Sequence, residues 1–302
     1  MERYPMKPLV VETAGETAWA DELIRRLKGE RAEVHTRCFP DGETYLRIDS
    51  DVAGREVVLV SRLDNPNAKV IPLLFAAQTL RELEARRVGV VIPYLPYMRQ
   101  DARFRPGEAV TSRCFGRLLS PHFDWMLTVD PHLHRHGDLE GVYSLPTRVV
   151  HAATCVARWI EENVERPVLI GPDEESAQWV APVAEIGGFP MMILEKVRRG
   201  DYDVEIQEID EVQCSERRPV LIDDIISTGR TMLEAIGHLA QQQLSPTVCI
   251  GIHGLFVDDA LEKLREANVE KVVTCNTVLH ETNEIDVLPE VIDGIDGLLG
   301  SV

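Results

Sequence analysis

Short apolar runs dense in valine and isoleucine recur along the whole chain, with helix-like stretches between them. The runs are KPLVV, EVVLVS, VGVVIPYL, DWMLTV, RPVLIGP, PMMIL, RPVLIDD, TVCIGIHG and KVVTCN. Continuous apolarity of this kind suits strands buried on both faces. Between them, AKVIPLLFAAQTLRELEARR and TMLEAIGHLAQQQ carry apolar residues at three- and four-residue spacing among strong helix formers, which predicts amphipathic helices. The alternation predicts repeated βα units: an α/β fold whose mostly parallel sheet is covered by helices on both sides.

At 302 residues the chain is long for one domain and suits two, each large enough to bury its own core. The charged segment VARWIEENVERP places the boundary near residue 150, giving domains 1–150 and 151–302. RPVLIGPDEES resembles RPVLIDDIIST in form, which hints at one architecture used twice. The segment EKVRRGDYDVEIQEIDEVQCSERR lacks apolar periodicity and is dense in charge, so it is expected as a long excursion outside the packed core.

The acidic balance narrows the partners. Asp and Glu number 50 against 32 Lys and Arg, a net charge of −18. Such a field repels nucleic acid and anionic membranes, and an anionic substrate needs a locally basic site. The first residues, MERYPMKPLVVETAGETAWA, interrupt any secretory apolar core with acids and prolines, and no window reaches membrane-spanning length. The six cysteines are scattered without close pairs, which argues against a disulfide framework or a zinc–thiolate site. A reducing cytoplasm is expected.

The stretch LIDDIISTGRT concentrates the chemistry. In an open α/β sheet, ligands bind beyond the carboxyl ends of the strands. Asp223 and Asp224 are expected where the apolar run VLI ends, with the turn from Ser227 through Thr228 and Gly229 to Thr231 wrapping the start of the next helix. Backbone N–H groups and hydroxyls there can donate to phosphate oxygens, helped by the helix dipole. Carboxylates repel phosphate but suit ribose hydroxyls or a divalent cation. A capped turn is the plainer account of any one of these residues. Two acids, three hydroxyls and a glycine within nine residues favour the site.

LIDDIISTGRT resembles the phosphoribosyl-pyrophosphate signature of type I phosphoribosyltransferases and, more closely, of ribose-phosphate pyrophosphokinases. The resemblance implies two similar phosphoribosyltransferase-like domains, with Asp223 and Asp224 on ribose hydroxyls and Ser227, Thr228, Gly229 and Thr231 around the 5-phosphate. CFPDGETYLRI resembles the family's early nucleotide element, implying that Phe39 stacks on adenine while Asp41 and Glu43 help hold ATP. PYLPYMRQDARFRPGEAVTSR resembles its Arg-Gln-Asp segment, which makes Arg99 and Gln100 nucleotide contacts; a guanidinium fork suits a polyphosphate. TVDPHLHRHG resembles its Asp-x-His stretch, with His132 toward the metal-nucleotide. LEKVRRG resembles the catalytic loop, with Lys196 and Arg198, and Arg199 beside them, over the transferring group. Asp173 matches the family's pyrophosphate turn and a magnesium role.

The implied reaction moves diphosphate from magnesium-ATP to the anomeric hydroxyl of ribose 5-phosphate, giving phosphoribosyl pyrophosphate and AMP. It also implies a homo-oligomer whose nucleotide element reaches a neighbouring subunit. Two departures stand out. GPDEES has Glu175 where the family has glycine, with Glu174 adding charge, and Arg230 replaces a small residue in the phosphate turn. A non-catalytic regulatory relative and a phosphoribosyltransferase are the alternatives. The repeated histidines His132, His134 and His136 with Asp130 also admit a zinc hydrolase, against which no second spaced His/Asp cluster occurs.

Overall fold

The computed structural model describes residues 7–13, 17–133, 138–194, 196–199, 203–206, 216–244, 246–267 and 269–299. The chain splits into two compact units, residues 1–150 with 288–302, and residues 151–287.

In the first unit the strands are β1 (Leu9–Glu12), β2 (Glu30–Arg31), β3 (Val34–Cys38), β4 (Thr44–Ile48), β5 (Glu56–Val60), β6 (Arg87–Ile92), β7 (Trp125–Val129) and β8 (Thr147–Val150). Six of them form a parallel sheet in the order β2-β1-β5-β6-β7-β8, and β3 and β4 form an antiparallel ribbon. The helices are α1 (Thr17–Leu27), α2 (Pro66–Glu82) and α3 (Thr111–Leu119). The second unit contains β9 (Pro167–Gly171), β10 (Met191–Ile193), β11 (Lys196–Arg199), β12 (Asp203–Ile206), β13 (Arg218–Ile226), β14 (Thr247–Gly254), β15 (Val269–Cys275) and β16 (Asn283–Ile285). Its parallel sheet runs β10-β9-β13-β14-β15-β16, with β11 and β12 as an antiparallel ribbon. Helices α4 (Ala153–Asn163), α5 (Ala177–Gly187), α6 (Arg230–Gln241) and α7 (Ala260–Glu266) belong to it, and α8 (Leu288–Leu299) closes the described chain.

Both units therefore share one topology: six parallel strands, with a two-stranded ribbon inserted between the second and third sheet strands. The expected similar α/β domains are present. The nine apolar runs all form sheet strands, and the parallel strands without such a run, β2, β8 and β16, are short and carry exposed residues.

RPVLIGP and RPVLIDD form the adjacent parallel strands β9 and β13 of one sheet, paired Pro219 with Val168 and Leu221 with Ile170. Two expectations need correction. The charged excursion is not wholly irregular, because it contains the β11–β12 ribbon. The last helix belongs with the first unit rather than with residues 151–287. Its buried Leu288, Val291, Ile292 and Ile295 supply the apolar face, and Gly294 lies so close to Leu127 and Val150 that a Cβ there would stand 2.7 and 2.8 Å from their side chains.

Close packing fixes the first sheet. Gly89 on β6 pairs with Trp125 on β7, and a Cβ at Gly89 would fall 1.8 Å from the fully buried indole. Neither neighbour can yield inside a sheet core, so Gly89→Ala is expected to cost about 3 kcal/mol, the upper end of ordinary overpacking. Urea unfolding of the parent and variant measures this.

Candidate active site

The order β10-β9-β13 makes a switch point in the second sheet, since the chain leaves β9 toward β10 on one side while β13 lies on the other. The crevice beyond the carboxyl ends at such a point is where open α/β sheets bind ligands. Asp173 follows β9, and Asp223 and Asp224 stand near the end of β13.

The two acids do not lie beyond the strand, as the apolar run had indicated. Strand β13 continues through them to Ile226. Asp224 is buried and Asp223 half-buried. Asp223 is paired with Gly251 on β14, which has no side chain to crowd it. Burial raises the Asp223 carboxyl well above its ordinary value, and the like charges of Asp224 and Asp173 push it further in the same direction. Asp223 Oδ1 accepts from the Asp224 backbone N–H at 3.0 Å, which partly offsets this. The charges of Asp224 and Asp173 thus both act on the Asp223 carboxyl.

The turn after β13 brings the chain into α6 through Gly229, at φ 70° and ψ 2°. This left-handed conformation is where glycine is favoured. Gly229 is the N-cap and no side chain caps the helix, so its first N–H groups face the turn formed by Ser227 and Thr228. Thr228 is exposed, while Ser227 and Thr231 are half-buried. Arg230 does not crowd the turn: its Nε donates to Glu234 Oε1 at 3.0 Å along the helix.

Residues that sequence reasoning had missed support this turn from behind. The backbone N–H groups of Leu255 and Phe256 donate to the Ile226 carbonyl at 2.9 and 3.1 Å, and Val257 donates to the Ser227 carbonyl at 3.0 Å. The signal in the sequence was a glycine-ended strand, TVCIGIHG, followed directly by the apolar LFV. His253, buried at the end of β14, has Nδ1 2.9 Å from Thr277 Oγ1, which donates to the Ile252 carbonyl at 2.7 Å.

The GPDEES departure has a definite shape. Asp173 caps a single 3₁₀ turn, Glu174–Ser176, its Oδ1 accepting from the Ser176 N–H at 3.1 Å while the Asp173 N–H donates to Ser176 Oγ at 3.4 Å. Glu174 and Glu175 are exposed. Ser176 packs so closely on Gly171 that a Cβ there would lie 2.3 Å from its hydroxyl. Three acids at this turn already offset its dipole, so a diphosphate binding here needs accompanying positive charge.

In the first unit the ribbon β3–β4 carries the nucleotide element at its tip. Gly42 N–H donates to the Phe39 carbonyl at 2.9 Å and Phe39 N–H to the Glu43 carbonyl at 2.7 Å. With Pro40 and Asp41 in the turn and Gly42 at φ 93°, this is a tight turn closed by a glycine bulge. Asp41 Oδ1 also accepts from Glu43 N–H at 3.2 Å. Phe39, Asp41 and Glu43 are exposed together. The Arg37 guanidinium sits 4.3 Å from the Phe39 ring centre and 4.6 Å from that of Tyr45, which meets Phe39 edge-on at 6.3 Å. Arg37 and Tyr45 were not anticipated; they are cross-strand partners. A cavity of about 300 Å³ lies beside Phe39, walled by Tyr45, Leu46, Phe75 and Gln78 among others.

Arg99, exposed, and Gln100, half-buried, lie in the loop after β6. The Gln100 carbonyl accepts from the N–H of Ser112 in α3 at 3.3 Å, and the Tyr97 carbonyl accepts from Thr111 Oγ1 at 3.2 Å. His132 is half-buried after β7, two residues beyond the buried Asp130 at φ 32°. His134 and His136 lie outside the described residues, as do the side chains of Lys196, Arg198 and Arg199, whose backbone forms β11. His132 belongs to the first unit and Asp173 to the second. The switch point of the first sheet, between β1 and β5, differs in kind: Thr13 Oγ1 donates to Ser61 Oγ at 3.1 Å, and buried Arg62 lies 5.1 Å from the Trp19 ring.

The N-terminal domain of ribose phosphate pyrophosphokinase matches residues 9–121, and the phosphoribosyl transferase domain matches residues 140–290. Ribose-phosphate pyrophosphokinase of Saccharolobus solfataricus is 33% identical over 271 residues, 89% of this chain and 91% of its own. That of Methanopyrus kandleri is 32% identical over 294 residues, 97% of this chain and 100% of its own. Phosphoribosylpyrophosphate synthetase from Mycobacterium smegmatis has the same fold, with a TM-score of 0.85 at 22% identity over 97% of this chain and 99% of that one. With these matches spanning both units, the chain belongs to the ribose-phosphate pyrophosphokinase family.

Proposed function

We propose that the chain transfers the diphosphoryl group of ATP to the anomeric hydroxyl of ribose 5-phosphate, releasing AMP and phosphoribosyl pyrophosphate. The observation that carries this is the switch-point crevice of the second sheet, where Asp173, Asp223 and Asp224 adjoin the uncapped start of α6. The backbone of the Ser227–Thr231 turn, with the hydroxyls of Ser227, Thr228 and Thr231, holds the 5-phosphate, and Gly229 provides the left-handed step that aims those N–H groups inward. Asp223 and Asp224 accept from the ribose hydroxyls, which fixes the acceptor oxygen relative to the sugar.

Phe39 stacks on adenine, Asp41 and Glu43 hold the nucleotide, and Arg99 and Gln100 contact its phosphates and base. Lys196 and Arg198 close over the transferring group. No dedicated general base is required, because positioning and charge neutralisation supply most of the rate. The acidic set suits magnesium, with Asp173 in the second unit and His132 toward the metal-nucleotide in the first. When bound there, magnesium would supply positive charge to offset that of the phosphates.

The exposed tip carrying Phe39, Asp41 and Glu43 serves a neighbouring copy in a homo-oligomer. Half-exposed Ile71 and Phe75 on α2 support such an assembly, since that helix is apolar on both sides. No helix among the described residues is long and apolar enough to cross a membrane, and a cytoplasmic setting with ATP and ribose 5-phosphate as partners fits the charge of −18. Incubating the purified chain with ATP, ribose 5-phosphate and magnesium should give AMP and phosphoribosyl pyrophosphate in equal amounts. AMP without the sugar product, or neither, overturns the proposal.

A further inference from the structure

The root of the β3–β4 ribbon holds three metal-ligating side chains that the reaction does not use. Glu33 precedes β3, His35 lies within it, and Asp49 follows β4. The register Val34 to Ile48 sets Glu33 opposite Asp49, and the Asp49 N–H donates to the Glu33 carbonyl at 2.8 Å, continuing the ladder one step past the strands. Glu33 and His35, two apart, share a face of the ribbon, and a residue directly opposite Glu33 shares that face too. The convergence is thus set by backbone pairing. Glu33 is further fixed by its N–H donating to Ser50 Oγ at 2.8 Å.

The three side chains converge. His35 Nε2 lies 3.4 Å from Glu33 Oε1 and 3.0 Å from Asp49 Oδ2, and one ligand atom from each residue falls within 4.8 Å of the others. Ligands bonded at about 2.0–2.1 Å in a tetrahedron stand about 3.3 Å apart, so one small divalent ion fits against all three. Side-chain exposures of 67%, 45% and 38% for Glu33, His35 and Asp49 leave a path for the ion and a fourth position for water.

We propose that Glu33, His35 and Asp49 form a binding site for a zinc-type divalent cation at the root of the nucleotide ribbon. One imidazole with two carboxylates selects zinc or its transition-metal neighbours over magnesium, which prefers oxygen donors alone. The site is separate from the acidic set of the second sheet. Arg47, opposite His35 in the register, competes for it: its Nη2 stands 2.5 Å from Asp49 Oδ2. An ion here ties the two strands together at their root and stiffens the ribbon whose tip carries Phe39.

The test is calorimetric titration of the full-length, metal-stripped chain with zinc chloride in excess magnesium. The parent should bind one equivalent that His35→Ala and Asp49→Asn each weaken at least tenfold. Arg47→Ala should strengthen it, an outcome that general loss of structure does not produce. Hydrogen exchange of residues 34–48 should slow on adding zinc to the parent and stay unchanged in His35→Ala. Equal binding by the parent and His35→Ala overturns the proposal, as does loss of the same equivalent in His132→Ala alone, which assigns the ion to the segment after β7.

Discussion

Asp223→Asn is expected to raise the thermal stability of the ligand-free protein while weakening ribose 5-phosphate about 10- to 100-fold, the loss of one or two charge-assisted hydrogen bonds. The two effects have one cause. Burial and the charges of Asp224 and Asp173 lift the Asp223 carboxyl well above the ordinary value of 3.8, so the folded state holds this proton more tightly than the unfolded chain. A group of that sign adds stability at low pH and loses it as pH rises through the folded value, so that ionising the carboxyl is a net cost to the fold. Asparagine removes that cost. The stability gap between variant and parent should therefore widen as pH rises and close as pH falls through the raised value. Magnesium should stabilise the parent more than the variant, because it relieves a repulsion the variant no longer has. Melting curves against pH, with and without magnesium, measure each part, and a variant less stable than the parent at pH 7 would show that the carboxylate is structurally required.

How far the sequence alone reached depended on what each residue's role rests on. Buried parallel strands announce themselves, because a strand covered on both faces has no polar positions to interrupt it. The nine core runs were legible for that reason, while β2, Glu30–Arg31, has two exposed residues and no pattern to read. The ribbons failed for the opposite reason. Residues 35–39 are exposed throughout, and two-stranded pairing rests on backbone bonds that composition does not record. The length of β13 was misjudged because two acids read as the end of an apolar run, yet Asp224 is as buried as the aliphatics around it. A functional site is where local pattern is expected to fail in this way. The three N–H groups of Leu255, Phe256 and Val257 behind the turn left only an indirect trace, a glycine-ended strand running directly into LFV, because backbone donors carry no side-chain signature.

The shared topology also bears on the proposal that the second unit carries the sugar-phosphate chemistry. Both sheets have a switch point at the same place in their strand order. In the second, the strand beside the crevice ends in acids and an uncapped helix start. In the first, the equivalent strand β5 ends in Ser61, hydrogen-bonded to Thr13, and in Arg62 against Trp19. In the proposed reaction the first unit instead contributes its ribbon and the loop after β6.

The largest catalytic loss is expected from the other ribbon. Lys196→Ala should lower turnover about 100- to 1,000-fold, the usual size of removing one preorganised charge from a transition state, with ribose 5-phosphate affinity close to that of the parent. The register of β11 with β12 separates the basic positions. Position 199 stands opposite Asp203, whereas 196 and 198 stand opposite Ile206 and Val204. Strand alternation puts positions 196 and 198 on one face and 199 on the other. The register alone thus distinguishes position 199 from positions 196 and 198. Arg198→Ala should therefore behave like Lys196→Ala, and Arg199→Ala should stay within a few-fold of the parent. Lys196→Arg should recover only part of the rate, because the planar fork and the compact ammonium place charge differently. Steady-state kinetics separating turnover from apparent affinity reads each arm. Near-parental turnover in Lys196→Ala removes this ribbon from the chemistry, and equal losses at 196, 198 and 199 would mean that the ribbon acts by net charge and not by the face it presents.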